Sequence, residues 1–234
     1  MPAPFPSFFH AFPALASGLL LVGLVSFQKL EAQTVITIVN PSFETPPPTV
    51  FPDYTLGADG WTRTRNDTDA GTFAPSGGLT PQPKDGSQVG YANGSGGLQQ
   101  VLSTTFAVGQ VYSFSVWIGY RSDDIDPLGT TGMIDLGYFD GTFHSLSSRT
   151  DTPALGQFDF VSGAYQATAA DAGRTIAVQL RNIGSAQAIY DVVQLTASPI
   201  PEPASVVAVF GAAALAAATL RRSRRSAGSA SAQT

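Results

Sequence analysis

Between Val111 and Tyr120 the side chains sort into two parities, with Tyr112, Phe114, Val116 and Ile118 on one and Ser113, Ser115, Trp117 and Gly119 on the other. A period of two belongs to a β-strand with one face buried, and a chain built from such runs closes a core only by packing sheet on sheet. Further runs of this kind fall at 35–39, 88–92, 98–102, 132–139, 158–167, 175–181 and 189–195. No stretch between them keeps helical spacing, so the sequence predicts an all-β sandwich of about eight antiparallel strands.

The segments between these runs are loops by chemistry. Pro46-Pro47-Pro48 supplies no ladder donors, Asp140-Gly141 is a hairpin-turn pair, and 122–130 combines three acids with Pro127 and Gly129. The stretch 62–85, rich in Gly, Asp, Pro and Thr, is expected to cross one end of the sandwich.

Both ends of the chain differ from this pattern. Residues 11–27 are mostly apolar and are followed by Leu30-Glu31-Ala32, which reads as a signal peptide over 1–32, either cleaved before Gln33 or kept as an anchor. At the other end, in 199–234, Pro201-Glu202-Pro203 precedes a 17-residue uncharged run from Ala204 to Leu220, then Arg221, Arg222, Arg224 and Arg225. As a helix that run is roughly 25 Å long, the short end of what spans a bilayer. Arginines just after it hold its end in the cytoplasm and place the preceding chain outside.

The exported part, 33–198, is 166 residues, enough for one domain with its own core. It holds seven Lys and Arg against fifteen Asp and Glu, a net formal charge of −8, which excludes nucleic acid as a partner. The chain has no cysteine, so stability comes from burial, with a structural calcium ion as a further candidate and no other cofactor required.

Catalytic material is scarce: this span has one histidine, His144, one lysine, Lys84, and one glutamate, Glu44, and no nucleophile-elbow motif surrounds a serine. No catalytic residue is assigned, and the domain reads as non-enzymatic. A binding surface is easier to draw. If the apolar parities of three strands point inward, Trp117, Asp135, Gln179 and Arg181 point outward and are expected to share one sheet face, an aromatic platform with polar neighbours suited to a sugar. Trp61, after a Gly-rich turn, reads as core packing. Asp123, Asp124 and Asp126 form a loop cluster without EF-hand spacing.

Two resemblances add to this reading. The order Pro201-Glu202-Pro203, apolar helix and terminal arginines resembles the PEP-CTERM sorting signal of bacteria that make extracellular polysaccharide. It implies export, a stay in the inner membrane, and processing by an exosortase that delivers the protein to the surface or matrix. In the domain, Asn40-Pro41-Ser42-Phe43-Glu44, Gly60-Trp61, Leu98-Gln99-Gln100-Val101, the 111–116 run and Tyr190-Asp191-Val192-Val193-Gln194-Leu195 follow an order similar to the jelly-roll carbohydrate-binding modules of the family 4/9 type. That resemblance implies a jelly roll, contact with extracellular polysaccharide, and calcium at Glu44 and Asp191. The expectation is a non-catalytic matrix protein that binds exopolysaccharide; alternatives are a structural matrix protein or adhesin without a glycan pocket and, behind these, a glycan or ester hydrolase.

Overall fold

The computed structural model describes residues 32–47, 54–65, 69–75, 79–124 and 128–200. Contacts divide the chain into Glu31–Pro201 and a second unit of Met1–Leu30 with Glu202–Thr234, which lies outside the described residues. So do the signal segment up to Glu31, Pro201-Glu202-Pro203, the 204–220 run, the terminal arginines and Asp126. Among the described residues no helix is long and apolar enough to cross a membrane.

The described residues form twelve strands: β1 (Thr34–Ile36), β2 (Tyr54–Leu56), β3 (Thr62–Arg63), β4 (Ala70–Phe73), β5 (Val89–Ala92), β6 (Gly97–Thr105), β7 (Gln110–Tyr120), β8 (Gly132–Phe139), β9 (Phe143–Asp151), β10 (Phe158–Gln166), β11 (Thr175–Asn182) and β12 (Ala188–Pro199). They make two antiparallel sheets. One runs β10-β7-β12-β5-β4-β2 with β1 also paired to β12; the other runs β3-β6-β11-β8-β9. From β5 to β8, and again from β9 to β12, the chain changes sheet at each connection, so alternate strands pack across one core.

The inward parities are those the sequence predicts. Tyr112, Phe114, Val116 and Ile118 of β7 are almost fully buried in one cluster with Ile134 and Leu136 of β8 and Ile176, Val178 and Leu180 of β11. Each such aliphatic or aromatic side chain contributes about 1.5–3 kcal/mol on burial. Trp61 is buried too, its ring 5.3 Å from Phe43 and its indole N–H donating to the Asn40 carbonyl at 3.2 Å.

The strand count exceeds the eight expected. Strands β3 and β4 lie inside 62–85, where Gly and Thr hide short pairings, and β9 follows Asp140-Gly141 as the second arm of a hairpin with Gly141 at φ 107°. Strand β9 is half exposed at a sheet edge, and its run of Ser, Arg and Thr lacks the alternation that marks the central strands.

Candidate active site on the five-stranded sheet

Asp135 stands between Ile134 and Leu136, whose side chains fill the core, so by strand alternation it faces away from the other sheet. An outward carboxylate is normally wet, yet Asp135 is only 2% exposed. Its neighbours on the same face bury it. In register it lies opposite Gln179 of β11 and Ser148 of β9, and Arg181 of β11 lies opposite Met133 of β8.

A register shift between Leu136 and Gly137 brings Ser145 within reach, and the Ser145 hydroxyl donates to Asp135 Oδ1 at 2.6 Å. Gly137 permits the shift, because a Cβ there would run into the His144 carbonyl. Arg181 Nη2 lies 3.8 Å from Asp135 Oδ2, close enough for attraction and too far for a hydrogen bond. Gln179 donates to Gln99 of β6 at 3.1 Å.

Burial raises the pKa of Asp135 above the ordinary carboxylate value, while the Ser145 hydrogen bond and the Arg181 charge pull it down. The result is a sheltered carboxyl group with one oxygen held and the other beside a cation, its neutral form favoured more than in an exposed carboxylate.

The other residues singled out from sequence separate. Asp135, Gln179 and Arg181 do meet on this face, but Trp117 belongs to β7 of the seven-stranded sheet. There it packs 5.2 Å from Phe160, with Lys84 Nζ 4.5 Å over its ring, beside the cluster of Phe73, Val89, Tyr91, Phe158 and Ile189. Parity fixes inside against outside for each strand but not which sheet the strand joins, so the four were grouped across two sheets. Ser145 was missed because the strand that carries it has no apolar period.

Glu44 and Asp191 hold neighbouring stretches of one segment. Glu44 accepts from the Ser87 and Gln88 amides at 2.8–3.1 Å and from the Ser87 hydroxyl at 3.1 Å. Asp191 accepts from the amides of Lys84 at 2.6 Å, Asp85 at 3.0 Å and Val192 at 2.8 Å. Burial pushes the Asp191 carboxyl up to about 6 despite these donors. Among the described residues no group of three or more His, Cys, Asp or Glu is gathered as a metal site. Asp123 pairs with Arg121 at 2.6 Å, which lowers its pKa, and Asp124 accepts the Gln187 amide at 2.7 Å.

Two antiparallel sheets packed on one core make a β-sandwich, and the fold is similar to that of the Stig cyclases of Fischerella. A Fischerella sp. TAU Stig cyclase solved in complex with (3Z)-3-(1-methyl-2-pyrrolidinylidene)-3H-indole superposes with a TM-score of 0.62 at 21% identity, over 72% of this chain and all of that one. A cyclase from the same organism in complex with 4-(1H-indol-3-yl)butan-2-one gives 0.61 at 20% identity, over 72% of this chain and all of that one. The HpiC1 cyclase family model matches residues 34–196, and the chain belongs to this HpiC1-like family. No curated protein matches the chain. A family 22 carbohydrate-binding module of Clostridium thermocellum Xyn10B gives only 0.44 at 19% identity, over 69% of this chain and 91% of that one, a likeness too loose to carry weight.

This membership corrects two expectations. The chain is not a non-catalytic polysaccharide-associating protein, and the assignment as no enzyme fails, because its family is one of cyclases. The scarcity of histidine, lysine and glutamate and the missing nucleophile elbow count only against hydrolysis. Ring closure within one molecule needs neither water nor a nucleophilic side chain; one well-placed acid and a shaped surface suffice. The resemblance to binding modules followed a shared fold, and a fold does not fix function.

Proposed function

We propose that the chain is a cyclase that closes a ring in a small unsaturated substrate on the outer face of the five-stranded sheet, with Asp135 as the proton-transfer group. The observation that carries this reading is Asp135 itself, 2% exposed on an outward strand position with its pKa raised. In its neutral form Asp135 donates a proton to the substrate's π system. The cation so formed is attacked by a second π bond of the same molecule, the ring bond forms, and the carboxylate takes a proton back from an adjacent carbon. Product and substrate are isomers. Ser145 holds Oδ1, which leaves Oδ2 for the proton, and Arg181 steadies the carboxylate while the charge is separated.

Indole-bearing compounds, as found with the Fischerella enzymes, are the first substrate class to test. A panel of indoles with alkene side chains, incubated in heavy water, is expected to yield isomers that gain deuterium. Asp135→Asn abolishes that conversion, whereas turnover that survives it refutes the assignment.

Delivery is a separate proposal carried by the C-terminal sequence. The PEP-CTERM-like order supports export, inner-membrane retention and exosortase processing, and replacing Pro201, Glu202 and Pro203 by alanine is expected to leave the protein in the membrane fraction.

A further inference from the structure

The Arg181 guanidinium on the proposed catalytic face is underused. Its stem is accommodated by Gly97 of β6, where a Cβ would crowd the Leu180 carbonyl and Arg181 Cγ. Its head makes two weak contacts: Nη2 to Met133 Sδ at 3.9 Å, a poor acceptor, and Nη2 to Asp135 Oδ2 at 3.8 Å. Its Nε is buried with no hydrogen-bond partner, although the side chain as a whole is 40% exposed. An unpaired buried donor costs free energy, and a guanidinium offers a planar fork matched to paired oxygen acceptors. The neighbouring polar groups are already engaged, Gln179 with Gln99 and Ser145 with Asp135.

We propose that Arg181 binds an acceptor oxygen of the substrate, so that the molecule cyclised here carries a carbonyl or carboxylate group placed one residue pair along the sheet from the reacting carbon. This rests on the cyclase reading of the same face and narrows its substrate class. Gripping an oxygen at Arg181 fixes the substrate's orientation over Asp135, because the two side chains lie on adjacent strands with their heads 3.8 Å apart.

The test uses three probes of one shape on the full chain: 4-phenylbutanoate, 4-phenylbutan-2-one and 4-phenylbutylammonium. The readout is the nitrogen-15 resonance of Arg181 Nε–H, assigned by its disappearance in Arg181→Lys. The carboxylate and the ketone are expected to move this resonance, the carboxylate at lower concentration, and the ammonium to leave it unmoved. Arg181→Gln, checked for an otherwise unchanged amide spectrum, is expected to weaken carboxylate binding about tenfold or more. A resonance unmoved by both oxygen probes overturns the inference. If Asp135→Asn still abolishes turnover in that case, the cyclase reading stands and only the oxygen grip fails; if turnover survives Asp135→Asn, the reading itself fails whatever the probes do.

Discussion

Replacing Asp191 by alanine is the sharpest probe of how the seven-stranded sheet is roofed. Asp191 is fully buried on β12 and holds three amides, two of them on the covering segment at Lys84 and Asp85. The third, Val192 N–H, lies at φ 53°, a strained place for a β-branched residue that persists only where its surroundings fix it. Hydrogen bonds to a charged partner contribute roughly 1.5–3 kcal/mol each. Against them stands the cost of stripping water from the carboxylate, visible as a pKa of about 6 in place of 3.8. That shift, about 3 kcal/mol, is what desolvation leaves after these hydrogen bonds have been counted. Asp191→Ala leaves three amides without their acceptor, and the expected loss is about 2–4 kcal/mol near pH 8. The sign of its pH dependence follows from linkage: between 3.8 and about 6 the folded state keeps a proton the unfolded state has lost, so wild-type stability falls as pH rises through that window. The variant lacks this slope, so its deficit is larger near pH 4 than near pH 8. Urea melts at both pH values, with hydrogen exchange at Lys84 and Asp85, measure it. Equal slopes in both proteins, or unchanged protection of those two amides, refute the latch.

Other consequences are as direct. Arg181→Gln removes a charge that holds the Asp135 pKa down, so the alkaline limb of the turnover profile, where the proton donor is lost, is expected to move to higher pH; a limb that stays or moves lower contradicts the pairing. Gly137→Ala forces a Cβ into the His144 carbonyl, and it is expected to cost about 1–3 kcal/mol in melting experiments and to lower turnover by displacing Ser145. Tyr91→Phe deletes a buried hydroxyl that has no partner and whose pKa burial raises to about 12; stability is expected to hold or rise by about 1 kcal/mol. A structural calcium ion at Glu44 and Asp191 would raise the melting temperature by several degrees in millimolar calcium, and an unchanged melt would remove that proposal.

How far the sequence could be read depended on which physical signal each residue carried. Period two placed Tyr112, Phe114, Val116 and Ile118 inside and Asp135 outside, because inside and outside are local properties of a strand. Sheet membership is not local. It is decided by long-range pairing, which is how Trp117 came to be grouped with residues of the opposite sheet. The surroundings of Asp135 were equally out of reach, since Ser145, which bonds it, lies on β9, an edge strand with no apolar period. The family itself was hidden for a chemical reason, in that a ring-closing site of the kind proposed, resting on a single acid, leaves no motif with fixed spacing.

The two sheets divide the labour of the domain, and the division explains why the acid lies where it does. The outer face of the seven-stranded sheet carries aromatic and aliphatic side chains under the segment that Glu44 and Asp191 hold, so its carboxylates are consumed as acceptors for backbone amides. An acid so engaged has no oxygen to spare for a substrate. On the outer face of the five-stranded sheet Asp135 has one oxygen held by Ser145 and the other 3.8 Å from Arg181. Of the two buried aspartates with raised pKa values, Asp135 is thus the one whose proton can be exchanged with a bound molecule without first breaking the fold. Comparing the two asparagine variants separates the roles: Asp135→Asn should remove turnover and leave the melt near wild type, and Asp191→Asn should lower the melt and leave residual turnover in the protein that remains folded.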